Sequence, residues 1–190
     1  MYGLVNKAIE QMVCRDHGEA VWQAIKREAG VEVEAFVSNA AYPDDVTYRL
    51  VGAASKVLQT PAEEILNGFG EYWVLHTALE SYGPLMRAHG KNAREFLLKL
   101  PQFHARVQMI FPELRPPEFE CTDVTEHALV LHYRTPRPAG LEPFVEGLLR
   151  GIGEMFDTPL TIRLLEDRAT GADHSVFHVS WAAGGDGCRC

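Results

Sequence analysis

The sequence predicts an α+β fold in which helices make up the first half of the chain and an antiparallel sheet most of the second. Apolar residues recur at helical spacing up to about residue 111, whereas four later segments are rich in alternating or β-branched residues. A helical segment stands between the second and third of these. Helices followed by a strand–strand–helix–strand–strand run are typical of an antiparallel sheet with segregated helices. A length of 190 residues suits one large domain, or one domain with two lobes.

The first half contains a series of predicted helices. The first ends at Gly18 and the second at Gly30, because a glycine after the last periodic residue is a common helix stop. Asp44 and Asp45 are expected to cap a third helix. Pro61 opens a fourth, since proline suits the first turn of a helix. The predicted helices after the first cover residues 21–29, 46–58, 61–79, 92–98 and 101–111.

The second half contains four predicted strands and one predicted helix. The strands cover residues 119–123, 128–135, 160–166 and 175–181, and the helix covers residues 141–156. The composition changes near Pro116 and Pro117. Two consecutive prolines fix the chain, so this position indicates a lobe boundary and not a flexible linker.

The composition excludes several classes of function. A formal net charge of −8 argues against a nucleic-acid clamp and against adsorption to anionic lipid. No apolar run approaches the ~18 residues that span a bilayer, and the N-terminus lacks the pattern of a signal peptide. The four cysteines do not form a disulfide framework. We therefore expect a cytoplasmic protein with neither nucleic acid nor membrane as a partner.

A metal site near the C-terminus is the first candidate, and it is not favoured. Cys188 and Cys190, with His174 and His178 upstream, are ligand types that zinc accepts. Their spacing is not that of a standard zinc motif, and the Gly-rich tail, residues 183–190, is expected to be mobile.

His104 lies on the apolar side of the helix predicted over residues 101–111. Val107 and Phe111 fall one and two turns after it on the same face. An apolar stripe at helical spacing consists of Leu100, Phe103, Val107 and Ile110. With no carboxylate at neighbouring helical positions, this imidazole would be a strong neutral ligand for haem iron. The alternative is a core histidine bonded to a carbonyl, and this helix alone favours that alternative because such histidines are common. The histidines expected to face solvent at turns are His17, His89 and His127.

Tyr133, Thr135 and Arg137 are predicted to share one face of the second strand, because side chains alternate along a strand. A phenol, a hydroxyl and a guanidinium on one face indicate a ligand that carries several anionic oxygens. Leu129 and Leu131 continue that face as an apolar floor, which suits a macrocycle with propionates. The alternative is an ordinary strand end with a solvated arginine.

His104, Pro117 and the Tyr133-x-Thr135-x-Arg137 motif together resemble the H-NOX family, the haem nitric oxide/oxygen-binding domains related to the haem domain of soluble guanylate cyclase. The resemblance covers the chain to about residue 182. Segments that are also similar to cyanobacterial-type members are Met1-Tyr2-Gly3, Asp45-Val46-Thr47-Tyr48, Phe69-Gly70-x-Tyr72-Trp73 and Arg115-Pro116-Pro117-x-Phe119-Glu120-Cys121.

The resemblance implies a helical distal lobe (residues 1–60) and a proximal lobe (residues 61–182) of helices and a four-stranded antiparallel sheet, with haem b (iron protoporphyrin IX) buried between them. His104 would ligate the iron and Pro117 would press on the porphyrin and distort it. The propionate-binding residues it implies are Tyr133, Thr135 and Arg137, with Thr135 in place of the family's serine. Pro138 stands where members with a C-terminal zinc cluster have a cysteine, which puts such a cluster in doubt.

The resemblance also implies which gas is bound. Stable oxygen binding in the family goes with a distal tyrosine, and Phe144 matches that position here. Ile9 and Trp73 would complete an apolar distal pocket. Because nitric oxide and carbon monoxide depend far less than oxygen on a hydrogen-bond donor, we expect a nitric oxide sensor that also binds carbon monoxide and excludes oxygen.

The expected output is a signal to a separate protein and not catalysis. Gas binding would weaken the iron–His104 bond and move the helix of His104, which biases a surface that a histidine kinase or a cyclic-dinucleotide enzyme reads. One alternative is a haem enzyme of the peroxidase or nitrite reductase type, which peroxide turnover would reveal. Another is a carrier of a different tetrapyrrole or a lipid, which the absorption spectrum would reveal.

Overall fold

The structure, a computed structural model, describes residues 1–182. Helices precede a four-stranded sheet, so the predicted fold class is confirmed. Cys188 and Cys190 lie outside the described residues. The helices before the sheet are α1 (Gly3–His17), α2 (Glu19–Ala29), α3 (Asp44–Leu58), α4 (Ala62–Tyr72), a π-helical segment (Trp73–Ala78), α5 (Leu79–His89), α6 (Ala93–Leu98) and α7 (Leu100–Ile110).

The ends of the first three helices follow largely from local chemistry. Gly18 and Gly30 end α1 and α2 with φ angles of 85° and 61°, which glycine adopts without the penalty of a Cβ atom. The predicted capping role of Asp44 and Asp45 is wrong. Pro43 occupies the cap position of α3, and both acids lie in the first turn, where their charge suits the positive end of the helix dipole.

The helix that begins after Pro61 is much longer than predicted. The sequence predicts an end near Leu79, but the chain continues through the π-helical segment and α5 to His89. Pro84 is tolerated inside α5, and the chain leaves the helix only at Gly90. His89 is also not solvated as expected: it is buried, with Nδ1 2.8 Å from the carbonyl oxygen of Leu85.

The sheet is antiparallel throughout and has the order β1-β2-β4-β3. Its elements in chain order are β1 (Glu118–Thr122), β2 (Ala128–Arg134), α8 (Glu142–Met155), β3 (Leu160–Glu166) and β4 (Ser175–Trp181). On β2, Leu129, Leu131 and Tyr133 alternate along the buried face, as predicted. His132 points to the opposite side, where its Nδ1 atom lies 2.8 Å from Nε2 of His174.

Two clusters of buried apolar side chains form the interior, and Trp73 packs against both. The first cluster comes from α1 to α4 and the second from later helices and the sheet. Helices α4 and α8 meet backbone to backbone. A Cβ atom on Gly147 would lie 2.0 Å from the carbonyl oxygen of Asn67, and one on Gly70 would lie 2.3 Å from that of Phe144.

Among residues 1–182, none of the helices is both long and apolar enough to cross a membrane. The first cluster ends with Phe69 on α4, and the second begins with Val74. The division into lobes at residue 60 stays a prediction.

Candidate functional site

His104 is held on α7 between aromatic rings. Its ring centroid lies 5.9 Å from that of Phe103 and 5.4 Å from that of Phe119 on β1. The side chain as a whole is half-buried, yet its Nδ1 atom is buried and makes no hydrogen bond within the described part of the chain. Burial lowers the pKa of His104 to about 4, and the polar main chain of Pro117 near the ring opposes that shift. The imidazole is therefore neutral at physiological pH, which is the form that binds a metal.

The apolar stripe predicted for α7 is only partly buried. Leu100 is buried, and Phe103 and Val107 are half-buried. The prediction is wrong for Ile110, which is exposed together with Met109.

The strand geometry predicted for the Tyr133-x-Thr135-x-Arg137 motif holds only for Tyr133. Strand β2 ends at Arg134, so Thr135 and Arg137 lie in the irregular loop that follows, and the alternation rule does not apply to them. The three residues nevertheless stay together. Burial raises the pKa of Tyr133, while a hydrogen bond with Thr135 and the charge of Arg137 lower it.

A row of rings connects Tyr133 to His104. Phe119 pairs with Tyr133 in the sheet register, and their ring centroids are 5.4 Å apart. Phe119 is also 5.4 Å from the His104 ring. A basic nitrogen and a cluster of oxygen-binding groups therefore lie at the two ends of one row of aromatic side chains.

Arg137 is almost buried, and part of its hydrogen-bonding capacity is unused. One Nη1 bond reaches the carbonyl oxygen of Arg115 at 3.0 Å. Its Nε atom lies 3.3 Å from a carboxylate oxygen of Asp44, but without hydrogen-bond geometry, so this contact is an ion pair only. Asp44 is also paired with the amino group of Met1. The hydroxyl of Tyr48, one turn after Asp44 on α3, is buried and lacks a hydrogen-bond partner among residues 1–182.

The loop after β2, residues 135–140, is held by side chains from distant segments. Nη1 of Arg168 donates hydrogen bonds to the carbonyl oxygens of Thr135 and Arg137, at 2.9 and 2.6 Å. The buried carboxylate of Glu142 accepts from the amide of Gly140 at 2.8 Å and from the hydroxyl of Ser175 at 2.6 Å. These contacts fix a loop that the strand ladder does not reach.

The structure gives the positions of Leu129, Leu131 and Pro117, and their contact with haem stays a prediction. Leu129 and Leu131 are fully buried in the second cluster on the face of β2 that carries Tyr133. Pro117 is half-buried in the turn between α7 and β1, with its main chain close to the His104 ring.

Phe69 brings together two of the residues expected on the distal side. Its ring stacks on Phe144 with centroids 5.4 Å apart and meets Trp73 edge-on at 6.1 Å. Ile9 is buried in the same cluster, and Ile9 and Phe69 both line a cavity of about 250 Å³ between α1, α3 and α4. The structure thus places Phe144 and Trp73 around one ring, with Ile9 on the neighbouring helix.

A family model described as haem-NO-binding matches residues 2–164 of this chain. The chain belongs to the haem-NO-binding family. Its relatives include soluble guanylate cyclase gcy-31 of Caenorhabditis elegans, which is 29% identical over 167 residues, 87% of this chain and 24% of the relative. Guanylate cyclase soluble subunit beta-2 of Rattus norvegicus is 29% identical over 123 residues, 62% of this chain and 18% of the relative. The chain spans about a quarter of the length of the first of these cyclases.

Solved structures of H-NOX proteins share the fold. An H-NOX protein from S. oneidensis in the Fe(II) ligation state, with three substitutions, has a TM-score of 0.89 at 20% identity and is covered over 98% of both chains. The Fe(II) unliganded H-NOX protein from K. algicida has a TM-score of 0.83 at 20% identity, over 97% of this chain and 98% of that chain. These similarities support the fold of this haem-NO-binding domain, and membership in the family makes it a haem-binding gas-sensor domain.

The residues of this site fit a haem. A b-type haem needs a neutral imidazole for its iron, and donors for two carboxylates. His104 supplies a neutral ring that lies between aromatic side chains, and Arg137 and Tyr48 supply donor atoms without hydrogen bonds in the described residues. The sequence does not identify Phe69, Glu142 and Arg168 as residues of the site. For Phe69, the aromatic spacing to Trp73 on one helix face was a usable signal, whereas Glu142 and Arg168 reach the site from segments with no shared motif.

Proposed function

We propose that this haem-NO-binding domain senses nitric oxide through a b-type haem that His104 ligates, and that it reports to a separate protein. The observation that carries the proposal is the imidazole of His104, which lies between the rings of Phe103 and Phe119 on α7 and is neutral at physiological pH. Ferrous haem, when bound, supplies an iron that takes nitric oxide or carbon monoxide. We assign Tyr133, Thr135 and Arg137 to the propionates and Pro117 to the porphyrin face.

The distal side supports nitric oxide over oxygen. Phe144, Phe69 and Trp73 form an aromatic group beside Ile9, and none of these side chains is a phenol. Bound oxygen is partly anionic and is stabilised by a hydrogen-bond donor, whereas nitric oxide and carbon monoxide do not depend on one. Trp73 packs against both apolar clusters, and we assign its indole to apolar packing and not to hydrogen bonding with a bound gas.

Helix α7 is the element we propose as the transmitter. It carries His104 on one side, and most of its other residues are exposed, Met109 by 82%. A change at His104 would therefore shift a helix whose outer surface is open to a partner. A histidine kinase or a cyclic-dinucleotide enzyme is the partner class that the family resemblance favours, and residues 1–60 and 61–182 would be the two lobes that move.

Absorption spectra of the ferrous protein test the proposal. We expect distinct complexes with nitric oxide and carbon monoxide and no lasting oxygen complex in air. Phe144→Tyr introduces a phenol beside Phe69 and should lengthen the life of an oxygen complex, while Phe156→Tyr, in the second cluster, serves as a control. A stable oxygen complex of the unaltered protein would contradict the choice of gas, and a protein purified without haem that binds none when supplied with haemin would contradict the cofactor site.

A further inference from the structure

The loop that carries Thr135 and Arg137 depends on side chains for its position. Strand β2 ends at Arg134, so the ladder to β1 and β4 does not extend into the loop. The carbonyl oxygens of Thr135 and Arg137 both accept hydrogen bonds from Nη1 of Arg168, at 2.9 and 2.6 Å. One guanidinium nitrogen thus fixes the backbone of both residues.

The backbone around Arg168 is itself held by local hydrogen bonds. It begins a short 3₁₀ turn (Arg168–Thr170), and the Asp167 carboxylate accepts a hydrogen bond from the amide of Ala169 at 2.7 Å. On the other side of the loop, Glu142 is buried and bonded to Gly140 and Ser175. The loop is therefore held at residues 135 and 137 by Arg168 and at residue 140 by Glu142.

We propose that Arg168 is a positioning residue of the cofactor site, which directs the side chains of Thr135 and Arg137 toward the haem propionates. This inference rests on the proposed role of Arg137. The direction of a side chain depends on the backbone of its own residue. Arg168 donates hydrogen bonds to the backbone carbonyl oxygens of both Thr135 and Arg137. A guanidinium suits this task because it is rigid and always charged.

Haem transfer from the holoprotein to an excess of an apo-globin acceptor measures the effect. Arg168→Met keeps the aliphatic part of the side chain and removes both hydrogen bonds, and transfer should be about tenfold faster, which is the size expected for loss of a charge-assisted bond. Arg168→Lys has an ammonium group that can still donate a hydrogen bond, so its haem-transfer rate should lie between those of the unaltered protein and Arg168→Met. Arg163→Met removes an equal charge from an exposed position on β3 and should leave the rate unchanged.

A combined variant separates positioning from a general structural role. If Arg168 acts through Thr135 and Arg137, adding Arg168→Met to a protein that carries both Thr135→Ala and Arg137→Ala should not speed haem transfer further. Multiplied effects would overturn the proposal, as would an unchanged rate for Arg168→Met. If Arg168→Met speeds haem transfer and Arg137→Ala does not, the data contradict both propionate binding by Arg137 and the positioning role of Arg168. If only Arg137→Ala speeds haem transfer, the data support propionate binding by Arg137 and contradict the positioning role of Arg168. Thermal unfolding of each holoprotein identifies a variant that is misfolded. If Arg168→Met is misfolded, the haem-transfer rate of Arg168→Lys tests the proposal in its place, and an unchanged rate for a folded Arg168→Lys would overturn it.

Discussion

At the level of single residues, the neutral state of His104 is set by its surroundings. A proton on the iron-binding nitrogen of a histidine would compete with a metal for the same lone pair. Packing against Phe103 and Phe119 removes water from the ring, lowers its pKa and so disfavours this protonation. The same rings leave the position with an apolar wall. The neighbours of His104 on α7 include no second residue of a type that binds iron well.

His104→Gly should therefore yield a protein that loses haem unless imidazole is added, since imidazole can fill the space and replace the ligand. The ratio of haem to protein, measured by absorbance, checks this. His127→Gly, at an exposed histidine on a turn, is the matched control and should retain haem. Full haem content and an unchanged ferrous spectrum of His104→Gly without imidazole would rule out the assignment.

Arg134 and Arg137 provide a second comparison between single residues. Arg134 is on β2 and pairs with Glu120 at 3.2 Å on the outer side of the sheet, whereas Arg137 is almost buried beside Tyr133 and Thr135. Arg137→Ala should speed haem transfer more than Arg134→Ala, because a charge-assisted bond to a carboxylate contributes ~1.5–3 kcal/mol. Equal transfer rates for the two variants would exclude a propionate clamp at Arg137.

At the level of elements, glycines allow the backbones of α4 and α8 to approach each other closely. Gly147→Ala would place a methyl group 2.0 Å from the carbonyl oxygen of Asn67, so the helices must separate. We expect a loss of about 1–3 kcal/mol in the free energy of unfolding.

Urea unfolding of the apoprotein measures this loss, and Gly68→Ala on the facing helix α4 is the control. Nothing in the described structure lies within 4 Å of a Cβ atom on Gly68, so alanine there should stabilise by about 0.5–1 kcal/mol. A Gly147→Ala variant as stable as the unaltered protein would show that the helices separate at little cost.

Much of the element order could be predicted from the sequence, because apolar periodicity and glycine stops are local signals. The four strands and α8 fall within one or two residues of the predicted bounds. The continuation past Leu79 could not be predicted in this way, since Pro84 reads as a helix breaker and only tertiary packing outweighs it. The π-helical segment has no distinct sequence pattern.

The candidate site was only partly predictable for a similar reason. His104 and Tyr133 were found from spacing on one element. Asp44 and Arg168 join Arg137 from 93 residues before and 31 residues after it in the chain, and such contacts are set by the fold. Phe69 lies between these cases, since it shares a helix face with Trp73.

At the level of the whole molecule, Asp44 ties distant parts of the chain together. Its carboxylate pairs with the amino group of Met1 and with Arg137, so it connects α3 to the loop after β2. Burial alone would raise the pKa of Asp44, but the ammonium group and the guanidinium outweigh burial and lower the pKa below its ordinary value. The charged form is therefore favoured in the folded state.

Asp44→Asn should lower the free energy of unfolding by about 1 kcal/mol near neutral pH, a small value because the carboxylate is partly exposed and screened by solvent. A lowered pKa means that this contribution is present above the ordinary value and is lost as pH falls through the folded value. The difference between Asp44→Asn and the unaltered protein should therefore shrink in acid, as urea titrations at two pH values would show.

Asp45→Asn is the control for Asp44, because Asp45 is 70% exposed and pairs with Arg49 within its own helix. It should cost less at neutral pH. If both variants lose the same stability, or if the loss at Asp44 does not change with pH, the link between α3 and the loop after β2 contributes nothing measurable.

The π-helical segment between α4 and α5 bears on how the lengths of related chains are compared. A π turn holds one residue more than an α turn, so the segment from Trp73 to Ala78 contains one residue in excess of a regular helix. A related chain that lacks one residue here would keep both flanking helices in phase, as a continuous α-helix. Matching such a chain to this one therefore requires a gap inside the helix, and without that gap every residue from Leu79 onward would be assigned to the wrong face.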